Sequence, residues 1–274
     1  MSKLISFKKT CAVLVLFAAL LPFLTYTDAA ELSGARGAVL IDADTGEIIY
    51  ERCAHTRLPM ASTTKIMTAV VAMRYFEPQA EFTVPREAVG IEGTSASLCE
   101  GEVYSLEELL YALLLQSAND AACAIAVNVA GSVESFAVLM NREAALMGLS
   151  DTHFTNPHGL PDDEHYTTAY ELSVMASHLL KNETLAKIVA TKRIKIESAD
   201  GVARYFYNHN KMLSCYEGAN GVKTGFTKAS GRCLVSSAER DGKRLIAVTL
   251  GSHNDWQEHA RMLDFGFKSS KKEN

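Results

Sequence analysis

Apolar residues recur at helical spacing between Ser62 and Lys181, while the segments on either side carry the short apolar runs of strands. Gly37-Ala38-Val39-Leu40-Ile41 and Glu47-Ile48-Ile49-Tyr50 flank the turn-rich Asp42-Ala43-Asp44-Thr45-Gly46, which predicts a pair of strands joined as a hairpin. Lys65 to Met73 is apolar around nearly its whole circumference, so it predicts a buried helix. Ser105-Leu106-Glu107-Glu108 has the capping-box pattern ahead of Leu109, Leu110 and Leu113, and a helix is expected to start there and run toward Ser117. Asp120–Ala130 and Ser132–Met147 predict further helices closed by Gly131 and Gly148. Thr168-Ala169-Tyr170-Glu171 repeats the capping pattern before a helix ending near Leu180, which gives Glu171 a capping task.

Strand signals return beyond residue 188. Arg193 to Ile196, an Asp200-Gly201 turn and Tyr205 to Tyr207 predict a peripheral hairpin. Val222–Thr227, Cys233–Ala238 and Leu245–Leu250 predict three strands, the last two joined across Asp241-Gly242. A final helix is expected over Asp255–Phe265, with the sole tryptophan, Trp256, packed beneath it, ahead of a charged tail. Strands at both chain ends with helices between them predict an α+β fold: one antiparallel sheet built from both ends and packed with helices, plus an inserted helical lobe. A site is expected where lobe and sheet meet.

Composition adds bounds to this pattern. A chain of 274 residues, 48% hydrophobic and 22% charged, can bury a sizeable core. A net charge of −5 without a long basic run gives no footprint for nucleic acid. Lys3, Lys8 and Lys9 precede an uncharged run from Cys11 to Leu24, with small residues at Thr27-Asp28-Ala29. Residues 1–29 therefore read as a signal peptide, 30–267 as one exported domain and 268–274 as a polar tail. The apolar run is short for a membrane span, and an uncleaved leader would tether the protein. Cys53, Cys99, Cys123, Cys215 and Cys233 follow the leader with no CxxC pair and no metal-like spacing, and most are expected to be small buried hydrophobes.

Three short strings could carry chemistry, and each has an ordinary reading. Ser62-Thr63-Thr64-Lys65 places an amine three residues from a hydroxyl, on one face of a helix start. A lysine kept neutral by burial or by a second cation could take the hydroxyl's proton, although a helix cap followed by a solvated lysine explains the string equally simply. Ser117-Ala118-Asn119 interrupts an apolar stretch and should face a cavity or a turn, or simply break a helix. Lys223-Thr224-Gly225 lies in a predicted strand, where glycine permits close approach of a substrate backbone and an exposed lysine would protect a sheet edge.

Taken together, in this order and spacing, the strings resemble the active-site elements of the penicillin-recognising serine peptidases and β-lactamases. Within that superfamily the chain is most similar to the low-molecular-mass D-alanyl-D-alanine carboxypeptidases, from about Leu32 to Phe267. Supporting strings are Pro59-Met60-Ala61, Asn119-Asp120-Ala121-Ala122, Thr152 to Leu160 with His165 to Ala169, and Gly221 to Thr227. The resemblance implies Ser62 as acylated nucleophile, Lys65 as its base, Ser117 as proton relay, and Asn119 as partner of Lys65 and of the substrate backbone. It implies that Lys223 keeps Lys65 partly neutral and draws the substrate's carboxylate, with Thr224 and Thr227 adding hydroxyls. Gly225 would allow close approach, and the N–H groups of Ser62 and Phe226 would form the oxyanion hole.

The implied reaction trims the terminal D-alanine from peptidoglycan stem peptides ending in D-Ala-D-Ala, without metal or cofactor, and β-lactams would be covalent inhibitors. A DD-transpeptidase shares these residues and differs in whether an amine or water resolves the acyl-enzyme. A non-catalytic β-lactam or wall-fragment sensor would keep only the pocket. A class A β-lactamase fits less well, because Ser117-Ala118-Asn119 lacks the central Asp and no Glu-x-x-Leu-Asn string follows. The chain departs from the family's longer form in stopping after Phe267, which implies no C-terminal membrane anchor. Glu171 stands where an aspartate is common in relatives, so helix capping is expected of it rather than a catalytic or loop-ordering role, and His153 and His158 are expected to pack the loop.

Overall fold

A computed structural model describes residues 32–270, so the expected leader over residues 1–29 and the end of the tail lie outside the described residues. Strands β1 (Gly37–Asp42) and β2 (Ile48–Arg52) open the chain as the expected hairpin. A 3₁₀ turn, Ala61–Thr64, leads into α1 (Lys65–Tyr75). The lobe follows as β3 (Glu81–Thr83), β4 (Val103–Ser105), α2 (Leu106–Leu114), α3 (Asn119–Ala130) and α4 (Val133–Leu146). Then come α5 (Ala169–Leu180), α6 (Glu183–Ala190), the β5 (Arg193–Glu197) and β6 (Ala203–Tyr207) hairpin, and the short α7 (Met212–Cys215). Strands β7 (Ala219–Thr227), β8 (Gly231–Arg240) and β9 (Lys243–Ser252) and helix α8 (Asp255–Ser270) complete it.

The main sheet has the order β2-β1-β9-β8-β7 with antiparallel pairing throughout, so the first strands lie against the last strand, as expected of a sheet built from both ends. Both of its faces are buried, which is why its strands read as continuous apolar runs. Alternate residues go to opposite layers: Leu40, Leu234, Leu245 and Ala247 pack with Met262 and Leu263 of α8, while Val39, Ile41, Val235, Ile246 and Val248 join the larger core with α1 and α5. Helix α1 threads that core with Lys65 through Ala72 all buried, which accounts for its lack of a polar face.

Local signals act as the sequence indicates. Ser105 and Glu108 close a full capping box at α2, and Gly131 ends α3 with a φ of 80°. The hairpins β3–β4 and β5–β6, with β3 and β4 only three residues each, fold onto the lobe outside the main sheet. Three expectations fail. Helix α8 runs to Ser270, so the tail's first residues are helical. Of the five cysteines only Cys123 and Cys233 are buried, while Cys53, Cys99 and Cys215 are exposed, and all five are unpaired. The capping role of Glu171 is incomplete: Thr168 caps α5 by accepting from the Glu171 N–H, but the Glu171 carboxylate turns away. It accepts from the Asp151 N–H at 2.9 Å and the Thr152 hydroxyl at 2.5 Å, tying down the start of the loop that flanks the site.

Candidate active site

From Met60 to Ala72 every residue is buried except Ser62, which the 3₁₀ turn delivers to the junction of sheet and lobe. The turn sits ahead of α1 rather than in its first helical turn. It is entered through Ala61, whose φ of 49° is left-handed and costs a residue with a Cβ about 1–2 kcal/mol. Two hydroxyls hold it: Thr63 Oγ1 donates to the Met60 carbonyl at 2.6 Å, and Thr64 Oγ1 to the Ala61 carbonyl at 2.8 Å.

Lys65 is 0% exposed and its Nζ has three neighbours. Asn119 Oδ1 and the His158 carbonyl each lie at 2.7 Å, and Ser62 Oγ at 3.1 Å. Burial first, then the Lys223 charge, push its pKa well below the ordinary lysine value. A neutral amine has two N–H bonds and one lone pair. Neither the His158 carbonyl nor Asn119 Oδ1 can donate, so they take the two hydrogens and the lone pair is left to face the Ser62 hydroxyl. The orientation of the Asn119 amide is set from its other end, where Nδ2 donates to the Glu92 carbonyl at 2.6 Å.

Lys223 comes from β7, the edge strand, yet it is 1% exposed; the solvated edge lysine is excluded. Its Nζ donates to Ser117 Oγ at 3.0 Å and to the Thr224 carbonyl at 2.8 Å, and burial lowers its pKa to about 7. Ser117 occupies the α2–α3 connection with a φ of 63°, which turns its hydroxyl toward that amine. Gly225 explains why β7 can lie so near: a Cβ there would come within 3.0 Å of the Ser62 nitrogen. Thr224 is half-buried, and Phe226 is 65% exposed. The Thr227 hydroxyl is engaged in the β7–β8 turn, accepting from the Ser230 N–H at 3.0 Å.

Two loops hold these groups in place: the resemblance implies that Thr152 to Leu160 belongs to the active-site loop, whereas residues 92–98 carry no such signal in the sequence. Asp120, beside Asn119, accepts from Ser95 Oγ at 2.5 Å and from the N–H groups of Ala96 and Leu98 at 3.0 and 3.1 Å. With the Asn119 N–H on the Thr94 carbonyl at 2.7 Å, this clasps residues 92–98 against the start of α3. On the other side, Asn156 Oδ1 accepts from the Gly159 N–H at 2.7 Å, and Thr68 Oγ1 donates to the Pro157 carbonyl at 2.6 Å. That turn aims the His158 carbonyl at Lys65. The Asn-Pro dipeptide signals such a turn, but no local pattern discloses its target.

His158 and His153 are loop residues, as expected. The His158 Nδ1 accepts from the Leu160 N–H at 3.2 Å and burial lowers its pKa to about 3, while His153 Nδ1 meets the Glu164 carbonyl at 2.6 Å. A cavity of about 270 Å³ opens between Met60, Ala61, Leu160, Asp162, Tyr166 and Thr227, on the Ala61 and His165 side of the nucleophile turn, and Ser62, Lys65, Ser117 and Lys223 do not line it. Among the described residues no three His, Cys, Asp or Glu side chains gather where they could hold a metal ion.

A buried amine with its lone pair on a hydroxyl, at a helix and sheet junction, is the equipment of an acyl-transfer enzyme that uses a serine nucleophile and a lysine base. The chain belongs to the D-alanyl-D-alanine carboxypeptidase family, whose profile matches residues 25–254. It is 35% identical over 241 residues to the D-alanyl-D-alanine carboxypeptidase DacF of Bacillus subtilis, covering 85% of this chain and 62% of that one. A D-alanyl-D-alanine carboxypeptidase of Streptomyces sp. strain K15 is 34% identical over 253 residues, covering 85% of this chain and 87% of the relative. The solved structure of the Streptomyces K15 DD-transpeptidase superposes with a TM-score of 0.80 at 33% identity, covering 85% of this chain and 97% of that one. A D-alanyl-D-alanine carboxypeptidase from Mycobacterium tuberculosis H37Rv gives a TM-score of 0.81 at 29% identity, covering 85% and 91%.

Proposed function

We propose that the chain is an exported serine-type D-Ala-D-Ala carboxypeptidase that removes the terminal D-alanine from peptidoglycan stem peptides. The observation that carries this reading is the Lys65 amine held by Asn119 Oδ1 and the His158 carbonyl against Ser62 Oγ. Family membership and the shared fold support the substrate class, and the leader pattern of residues 1–29 supports export.

Neutral Lys65 takes the proton of Ser62 Oγ as that oxygen attacks the carbonyl of the penultimate residue. The oxyanion is received by the N–H groups of Ser62 and Phe226. The peptide C–N bond then breaks, and the proton returns through the Ser117 hydroxyl to the departing D-alanine nitrogen. Charged Lys223, with Thr224 and Thr227, holds the terminal carboxylate. Water, deprotonated by Lys65, hydrolyses the Ser62 ester and regenerates the free hydroxyl. β-Lactams enter the same first step and remain on Ser62.

The reading sets a pH dependence. Lys65 must be neutral, so acylation rises as pH climbs through its lowered pKa. Lys223 must be charged, so substrate capture falls as pH passes about 7. The two amines repel, so the limbs belong to the pair. A bell-shaped profile of the second-order acylation rate constant is expected, and a rate flat from pH 5 to 10 would contradict these roles.

The name of the Streptomyces K15 DD-transpeptidase favours one second reading, in which an amine rather than water accepts the acyl group. Release of D-alanine from an N-acylated peptide ending in D-Ala-D-Ala, with and without an added acceptor amine, separates the two. Ser62-dependent hydrolysis with little diversion to the amine is the expected result. Predominant transfer to the amine would establish the transpeptidase, and acylation by penicillin with no product from either arm would leave a sensor.

A further inference from the structure

His165 takes no part in the steps above, yet it is buried directly behind the nucleophile turn. The Thr155 N–H reaches its Nδ1 at 3.0 Å, and a backbone N–H can only donate, so Nδ1 is the acceptor. The proton of the neutral ring is therefore on Nε2, which lies 2.7 Å from Thr64 Oγ1. The opposite end of the chain gives the same direction. Thr64 Oγ1 meets the Ala61 carbonyl at 2.8 Å, a carbonyl can only accept, and the hydroxyl has one hydrogen to give. The relay runs from Thr155 N–H to His165 Nδ1, and from His165 Nε2–H through the Thr64 hydroxyl to Ala61 C=O. Burial lowers the His165 pKa to about 4, which keeps the ring neutral at physiological pH.

The relay ends on the carbonyl half of the Ala61–Ser62 peptide. A trans peptide is planar with its C=O and N–H antiparallel, so fixing one fixes the other. The Ala61 carbonyl is confined between Thr64 Oγ1 and Gly159, where a Cβ would lie 2.0 Å from it. The Ser62 N–H then points the opposite way, to the side on which Gly225 of β7 approaches. Each bond that the carbonyl accepts also polarises the N–H across the amide.

We propose that His165, acting through Thr64, is a positioning residue that aims and polarises the Ser62 N–H of the oxyanion hole. The proposal rests on Ser62 being the acylated nucleophile. It explains why a histidine, a threonine and an alanine with left-handed backbone converge behind one serine, which packing of His165 against the Phe154 ring alone does not require.

The test is the ester carbonyl stretch of the penicillin acyl-enzyme, read by isotope-edited infrared difference spectroscopy together with the acylation rate, in Thr64→Val, His165→Phe and Thr64→Ser. A polarised donor lowers the stretch of the carbonyl it binds. Thr64→Val and His165→Phe are expected to raise it and to slow acylation about tenfold to a hundredfold, below the loss of a whole oxyanion donor. Thr64→Ser, which keeps the hydroxyl, is expected to restore both readouts. Thermal unfolding of each variant accompanies them, because a packing defect alone lowers stability without moving the stretch. An unshifted stretch with wild-type rates in Thr64→Val and His165→Phe would overturn the relay, as would a shift that Thr64→Ser shares. Failure of penicillin to acylate the wild-type chain would instead remove the Ser62 reading, and the relay with it.

Discussion

Lys65→Ala and Lys65→Arg are both expected to slow penicillin acylation of Ser62 by about a thousandfold or more, toward the upper end of what a positioned general base supplies. The pair separates proton transfer from electrostatics. Alanine removes the amine; arginine keeps a permanent cation beside Ser62 but cannot become neutral. If Lys65 acted only through its charge, arginine would retain much of the rate. The two bonds to Asn119 Oδ1 and the His158 carbonyl are lost with alanine, leaving buried acceptors at a cost of about 1–3 kcal/mol each, partly offset because a desolvated amine is also removed. Stopped-flow kinetics with a fluorescent penicillin, alongside thermal unfolding, measures both effects. A Lys65→Arg rate within tenfold of wild type would contradict the base assignment.

Gly159→Ala is expected to be the most damaging single methyl group near the site. Its Cβ would stand 2.0 Å from the Ala61 carbonyl oxygen and 2.4 Å from the carbonyl carbon, and the position has a φ of 89°. Backbone cannot yield as a flexible side-chain end does, so either the Asn156–Leu160 turn or Ala61 must move. Moving the turn withdraws the His158 carbonyl from Lys65; moving Ala61 turns the Ser62 N–H. A loss of about 3 kcal/mol or more is expected, lowering the melting temperature by roughly 10 °C. Acylation should fall about a hundredfold in the protein that remains folded, in the range of losing an oxyanion donor. Gly148→Ala is the control: its φ of 75° is also left-handed, but nothing lies within 4 Å of the added methyl. It is expected to cost about 1 kcal/mol and to leave acylation unchanged. Equal melting temperatures for the two variants would show that contact with Ala61 is not what confines Gly159.

The contrast between these glycines shows how the site was encoded. Gly148 is legible locally, because a glycine after an amphipathic run is a helix stop. Gly159 looks equally like a turn residue, and only the fold reveals that the Ala61 carbonyl fills the space where its side chain would be. The same division runs through the rest. Capping boxes, apolar periods and the Asp241-Gly242 turn act within a few residues, so Ser105, Thr168 and the strands from Val222 to Leu250 declared themselves. Strands β3 and β4, three residues each, have too few positions to set an alternation, and their register comes from the lobe that they cover. Glu171 was misread because a glutamate three residues after a threonine cap satisfies the capping pattern whether or not its carboxylate bends back.

Within the site, Ser62, Lys65, Ser117, Asn119 and Lys223 were found through three strings that only mean something together. Their distances to one another span 2 to 161 positions in sequence and about 3 Å in space at the two amines, which the folding of β7 against the nucleophile turn brings about. Lys223 illustrates the physics. On an edge strand lysine ordinarily points to water, but here a buried serine hydroxyl and the Thr224 carbonyl replace that water, and burial brings its pKa down to about 7. What could not be read was the clasp on either side: the Asp120 carboxylate and the His158 carbonyl act over 22 to 93 positions, through groups that any sequence contains.

The most direct measurement is the mass of the protein after brief reaction with penicillin at neutral pH, followed by peptide mapping, for wild type, Ser62→Ala and Lys65→Arg. One adduct on the wild-type chain, located at Ser62, absent from Ser62→Ala and forming at least about a thousandfold more slowly in Lys65→Arg, is the result expected of a serine whose proton a neutral lysine removes. An adduct on another residue, or undiminished labelling of Lys65→Arg, would contradict it.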